Sequence, residues 1–247
     1  MSFLSIQRHL NFIKFYGAAM IAVLPCAGYG TRMGRLTKVI PKELLPFGEK
    51  LLLDFILEEL MENNIEEIYV VIRRGKEIIK EYLLDNYPHL TFHFVYQNNP
   101  KGVAHAYLQL KGLVKETFLA VLPDHLAFGD ITKQILNIYY ELLNANKDPF
   151  ILKTYVTVPK EEALFSTGKR PEEKHIPIRS TGRTIYPPEF LEFISENDYD
   201  PYFKEIKERI PEKMFAKKFE VYNFPLQGIV WDIGTLEGYL FYLKKFL

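Results

Sequence analysis

Residues 20–46, M-I-A-V-L-P-C-A-G-Y-G-T-R-M-G-R-L-T-K-V-I-P-K-E-L-L-P, constrain the fold of this chain more than any other stretch. Residues 21–24 are an unbroken apolar run, as expected of a strand covered on both faces of a parallel sheet. Gly28 and Gly30 follow at once. They let the backbone bend sharply and bring several N–H groups to a ligand, an arrangement that suits phosphate. Arg32, Lys38 and Lys42 add positive charge, while Pro41 and Pro46 prevent the loop from continuing as a helix.

Two common phosphate loops fit this stretch poorly. A dinucleotide fingerprint needs G-x-G-x-x-G opening directly into a helix, with an acidic residue ending the next strand. Here the third glycine, Gly34, falls one residue too far along, and the next predicted strand ends in Arg73 and Arg74. A Walker loop needs G-K-[ST], which does not occur.

Downstream, the periodicity predicts helices over residues 51–62, 78–87, 103–114, 131–144, 187–195, 200–209 and 236–246. Strands are predicted over 67–72, 91–96, 117–122, 150–158, 184–186 and 219–224, and residues 228–232 lead into the last helix. Strands alternating with helices argue for an α/β fold with a mainly parallel sheet, whose ligands bind outside the carboxyl ends of the strands. Residues 160–177 are charged and read as a surface loop or lid. Residues 1–19 read as an N-terminal extension, by default a helix packing on the domain. Their apolar residues are broken by polar ones, so no signal core forms, and Met20 is an alternative start.

The 247 residues are 48% hydrophobic and 25% charged, enough for one large domain over residues 20–247. Basic and acidic residues balance at 31 each, so there is no bulk electrostatic case for nucleic acid or an anionic membrane, and any phosphate site must be local. No apolar run approaches a membrane span. The single cysteine, Cys26, excludes an intramolecular disulfide and fits a reducing, cytoplasmic compartment. It reads as a small residue packed under the loop rather than as a nucleophile. The six histidines show no ligand spacing, and His105 reads as a packing residue.

The boxes L-P-C-A-G-Y-G-T-R and P-K-E-L-L-P together resemble the signature of the sugar-1-phosphate nucleotidyltransferases, with the UTP–glucose-1-phosphate uridylyltransferases nearest and the thymidylyltransferases next. Arg35 departs from the pattern, since many members have proline there. The resemblance runs from about Met20 to the C-terminus, with residues 159–175 poorly matched. It implies a Rossmann-like α/β three-layer sandwich with a mainly parallel, mixed central sheet. It also implies magnesium-dependent transfer of a nucleotidyl group from a nucleoside triphosphate to a sugar 1-phosphate, with release of pyrophosphate. UTP or dTTP and glucose 1-phosphate are the favoured pair.

Such a reaction brings two anions together, so cations and carboxylate-held magnesium are the groups to seek. By resemblance, Arg32 holds the triphosphate, where its planar fork suits phosphate oxygens. Lys42 lies between the α-phosphate and the incoming sugar phosphate. Asp124, in V-L-P-D, and Asp232, in W-D-I-G-T, correspond to metal aspartates, with turn or cap roles as their plain alternatives. Leu24, Ala27, Gly28, Gly30 and Thr31 belong to the matching nucleotide loop. Glu173 and Lys174 stand where the family's sugar-binding Glu-Lys-Pro box would be, although His175 replaces the proline. Gly182, before Arg183, matches the glycine near the sugar.

Gln97 and Gly102, in Q-N-N-P-K-G, match the positions that contact the base in pyrimidine-using members. A glutamine amide suits N3–H and O4 of uracil or thymine, yet it flips to suit cytosine, and guanine also shows a donor beside an acceptor. A guanylyl- or cytidylyltransferase therefore stays open at this point. So does a non-catalytic sugar-nucleotide sensor on the same fold. The sequence leaves the sugar and the oligomeric state undecided, a homo-oligomer included.

Overall fold

The computed structural model describes residues 20–146, 148–160, 162, 177–201 and 204–247. The expected N-terminal extension and most of the expected 160–177 loop, with Glu173 and Lys174, lie outside these residues.

The first apolar run forms β1 (Ile21–Pro25). Ala22 and Leu24 pack into one core cluster and Ile21 and Val23 into another, so the strand is buried on both faces. A short antiparallel pair, β2 (Pro46–Phe47) and β3 (Lys50–Leu51), starts at the last residue of the proline box. Parallel partners flank β1: β4 (Glu67–Ile72) on one side and β6 (Phe118–Val121) on the other. β5 (Thr91–Tyr96) pairs parallel with β4. With β8 (Phe150–Thr157), β9 (Ile178–Tyr186) and β10 (Glu220–Pro225), the seven-stranded order is β10-β8-β9-β6-β1-β4-β5. β9 runs antiparallel to both neighbours, and the remaining pairs are parallel, so the sheet is mixed but mainly parallel, as expected.

Helices cover both faces. α1 (Leu52–Glu62), α2 (Glu77–Asn86), α4 (Ile131–Ala145) and α6 (Leu236–Phe246) contribute Leu53, Leu57, Ile79, Leu83, Ile135 and Tyr242 to the first cluster. α3 (Val103–Leu108) and α5 (Arg209–Phe215) supply Ala104, Tyr107 and Phe215 to the second. The three layers place the strand ends in a defined way. From β1 the chain winds outward through β4 to β5, then returns to the far side of β1 as β6. The direction of winding therefore reverses between β1 and β6, and a crevice opens beyond their carboxyl ends.

Several expectations are corrected. The 103–114 helix stops at Leu108 and continues as turns. The 187–195 helix is a 3-10 segment, Pro188–Phe193. The strand at 184–186 is the end of a nine-residue β9. Among the described residues of the expected 200–209 helix none before Arg209 is helical; Asp200 and Glu205 instead pair as an antiparallel bridge, and Ile206 N–H donates to the Lys101 carbonyl at 2.5 Å. The helix starts at Arg209, with Pro211 in its first turn, where no backbone donor is needed. An unexpected β7 (His125–Phe128) pairs antiparallel with β11 (Ile229–Asp232). Within the 160–177 stretch Glu162 is buried rather than on a surface loop. Its side chain accepts from Tyr242 Oη and Lys245 Nζ at 3.0 and 2.6 Å, and its carbonyl from Arg179 at 2.6 Å.

Candidate active site

The crevice beyond β1 and β6 is a cleft of about 660 Å³. One wall is the loop after β1, with Ala27, Gly28, Gly30, Thr31 and Arg32; the other carries Gln97, Gly102, Asp124, His125, Asp232 and Gly234. Lys42 joins them from the proline box, whose Lys42–Leu44 turn follows Pro41. Ten expected positions thus meet in one place: Ala27, Gly28, Gly30, Thr31, Arg32, Lys42, Gln97, Gly102, Asp124 and Asp232.

Two do not line it. Leu24 alternates into the first core cluster and is fully buried below the loop. Gly182 lies behind the wall, its carbonyl accepting from Leu122 N–H at 2.8 Å. A Cβ there would stand 2.7 Å from His125 Cβ, so the glycine lets β9 pack against the residue that follows Asp124.

Asp124 is the electrostatic centre. Lys42 Nζ donates to its Oδ2 at 2.5 Å, His125 Nδ1 lies 3.2 Å from its Oδ1, and Arg32 Nη2 stands 4.0 Å from Oδ2. Burial by itself would raise the Asp124 pKa, but the Lys42 ammonium and His125 more than offset this and hold it well below the usual carboxylate range. Lys42 shows the converse: burial pulls its pKa down, Asp124 and Glu43 push it up, and the net shift is upward. At neutral pH the two are a carboxylate and an ammonium, so Lys42 acts as a cation and not as a base.

Asp232 comes from the far end of the chain because β11 pairs with β7, setting Asp232 opposite His125. Ile233 N–H donates to the Asp124 carbonyl at 2.9 Å, and Gly234 N–H to Asp232 Oδ1 at 3.0 Å. Gly234 is required by close approach. A Cβ on it would stand 2.7 Å from Asp124 Oδ2, 3.1 Å from Arg32 Nη2 and 3.2 Å from Asp232 Oδ1. Two carboxylates and a guanidinium therefore converge over one bare Cα. Paired hard oxygen donors beside an open cleft fit magnesium, which fills its remaining positions with water and substrate phosphate. Among the described residues no group of three or more His, Cys, Asp or Glu side chains gathers as a metal cluster.

Supports that sequence reading missed lie beneath this surface. Lys76, buried, donates to the Cys26 carbonyl at 2.7 Å and to Glu43 Oε2 at 2.8 Å, tying the glycine loop to the proline box from below. Burial raises the Cys26 thiol pKa, so the thiol stays protonated and packs as a small apolar group. Arg183, with no exposed surface, is paired through Nη2 with Glu59 of α1, and its Nη1 donates to the His125 carbonyl at 2.5 Å and the Thr181 carbonyl at 2.8 Å. The only sequence signal for Arg183 was its place after Gly182. Glu59 and Lys76 carried none.

The nucleotidyl transferase family model matches residues 21–246. The chain is 26% identical over 261 residues to UTP–glucose-1-phosphate uridylyltransferase 1 of Streptococcus pyogenes serotype M3, an alignment covering 89% of this chain and 86% of the relative. Among solved structures it is similar to a UDP-glucose pyrophosphorylase complexed with UDP-glucose, with a TM-score of 0.75, 24% identity and coverage of 93% of this chain and 98% of the other. It is also similar to a UTP-bound UGPase from Acinetobacter baumannii, with a TM-score of 0.75, 22% identity and 93% coverage of each chain. These structural likenesses establish a shared fold.

Proposed function

The chain belongs to the nucleotidyl transferase family, and from that premise we propose that it transfers a nucleotidyl group from UTP or dTTP to a sugar 1-phosphate, glucose 1-phosphate first among them. In this reaction a phosphate oxygen of the sugar phosphate forms a bond to the α-phosphorus. The bond from that phosphorus to the β-phosphate bridge oxygen breaks, and pyrophosphate leaves with the electron pair. No covalent enzyme intermediate is needed, so the protein's task is to neutralise charge and align two anions.

The observation that carries this reading is the convergence of Arg32, Lys42, Asp124 and Asp232 in the cleft that Gln97 and Gly102 also line. Lys42, whose side chain is 15% exposed, stabilises negative charge that grows on the α-phosphate. Arg32, whose side chain is 66% exposed, reaches the triphosphate from the open side. Asp124 and Asp232 would hold magnesium, which when bound neutralises phosphate charge. The 2.5 Å contact of Lys42 with Asp124 keeps the ammonium aimed at the cleft before substrate arrives.

A screen of pyrophosphate release, crossing common nucleoside triphosphates with sugar 1-phosphates, tests the proposal. Release with UTP or dTTP and glucose 1-phosphate is the expected result. Nucleotide binding without turnover of any pair would replace it with a non-catalytic sensor.

A further inference from the structure

Gln97 follows β5 and is almost wholly buried, yet it lines the cleft. Its Nε2 lies 3.2 Å from the Gly102 carbonyl oxygen and 2.7 Å from His105 Nδ1. The carbonyl fixes which way round the amide stands. An oxygen acceptor must face the amide NH2, because rotating the amide would set two carbonyl oxygens against each other. Both N–H bonds of the NH2 are then committed, one to Gly102 and one to His105. His105 Nδ1 must accept at 2.7 Å, so the imidazole is neutral with its proton on Nε2; Gln109 Nε2, 3.3 Å from that nitrogen, gives its hydrogen to the His105 carbonyl at 3.1 Å, so the shorter Gln97 contact sets the tautomer. Burial favours that neutral form.

The polar atom Gln97 has left is Oε1, a pure acceptor, and among the described residues no donor is paired with it. Gly102 holds this arrangement in place. Its φ of 98° lies where side chains are strained, and a Cβ would stand 2.8 Å from both Glu205 Cβ and the Ile206 carbonyl oxygen. The 204–206 segment thus clamps the carbonyl that orients the amide.

We propose that His105 is a positioning residue for base selection: with the Gly102 carbonyl it locks Gln97 as an acceptor toward the nucleotide, so that the cleft takes pyrimidines bearing N3–H and rejects cytosine. Uracil and thymine present N3–H to Gln97 Oε1. Cytosine presents a bare N3, placing two acceptors together, and the flip that would relieve this is blocked by Gly102. The inference rests on the proposed nucleotidyl transfer and deepens it, since it concerns the base alone.

The test is calorimetric binding of UTP, dTTP and CTP, with magnesium and without sugar phosphate, to wild type, His105→Leu and His105→Asn. One mispaired hydrogen bond in a buried site corresponds to a preference of about ten- to a hundredfold for UTP over CTP in wild type. His105→Leu, lacking the acceptor, reduces that preference to about threefold or less, chiefly by weakening UTP. His105→Asn, whose amide oxygen replaces Nδ1 as acceptor, restores most of it. A nitrogen-15 spectrum of histidine-labelled wild type supplies an independent readout, with His105 Nδ1 unprotonated. Equal binding of UTP and CTP by wild type, an unchanged ratio in a folded His105→Leu variant, or a protonated Nδ1 overturns the inference. If pyrophosphate is never released but the UTP preference holds, the proposed reaction fails and the base lock stands.

Discussion

Lys42 Nζ and Asp124 Oδ2 meet at 2.5 Å across 82 positions of sequence, joining the proline box to the end of β6. The pair is half of the proposed chemistry, and it sets the first expectation. Asp124→Asn keeps the fold but lowers turnover on the order of a hundredfold or more, the scale of losing one preorganised electrostatic contact. Pyrophosphate release beside a circular dichroism melt measures both. Near-normal turnover would remove Asp124 from the reaction.

The same pair has a signature in acid. The Asp124 pKa is depressed in the folded state, so its contribution to stability is complete above the unfolded carboxylate value of about 4. That contribution is lost as pH falls below it toward the folded value. Denaturant midpoints of wild type should therefore drop between about pH 4 and pH 2 more steeply than those of Asp124→Asn. Parallel curves for the two proteins would mean that the carboxylate is not held by Lys42 in solution.

Removing either cation has a different kinetic consequence. Lys42→Ala chiefly depresses kcat, because the ammonium acts where charge develops in the transition state. Arg32→Ala should also raise KM for the triphosphate, since in the proposed reaction the guanidinium binds the phosphate chain before the chemical step. Unchanged kinetics in both variants would sink the assignment of this part of the cleft.

Gly234→Ala tests the convergence directly. The added methyl would stand 2.7 Å from Asp124 Oδ2 and 3.2 Å from Asp232 Oδ1, so it displaces the carboxylates. The expected outcome is turnover reduced by about tenfold or more, scaled to a misplaced electrostatic contact. The melting midpoint should shift by only a few degrees, as for about 1 kcal/mol in a chain of this size. A variant that melts like wild type and turns over like it would show that the two aspartates act apart.

Arg183→Met leaves the Glu59 carboxylate, 15% exposed, without its charge partner and should cost about 3 kcal/mol of stability, the low end for breaking a buried pair. Adding Glu59→Leu should recover much of the loss, since an apolar pair of similar volume replaces a buried ion pair at little cost. Denaturant unfolding of the single and double variants decides this. If the single variant is as stable as wild type, the buried pair is not a support of the Asp124–His125 backbone.

The parts of the site legible in sequence were those that local chemistry specifies. The apolar run, the two loop glycines and the proline box are contiguous, and together they locate Lys42 and Arg32 before any contact is known. Asp124 was legible because it ends an apolar strand. The hidden parts depend on contacts between distant segments. Asp232 was expected from its W-D-I-G-T box, but its route to the cleft was hidden, because it depends on β11 pairing with β7, a four-residue strand too short for its alternation to stand out. The helix expected at 200–209 fails because the clamp on Lys101 takes Ile206 N–H, a tertiary contact that overrides periodicity. His105 read as packing on its helical spacing, and it is buried. Its bond to Gln97 appears only once α3 folds back on the end of β5.

The Lys76 brace beneath the cleft bears on how fast a substrate is received. One buried ammonium grips the Cys26 carbonyl and the Glu43 side chain, so the glycine loop and the turn bearing Lys42 move as a single floor. Ordering a loop residue costs roughly 1–2 kcal/mol of conformational entropy, and here that cost is met when the chain folds. In the proposed reaction two mutually repelling anions would then arrive at a surface already arranged for them, and capture becomes a matter of diffusion and alignment instead of waiting for the protein to settle.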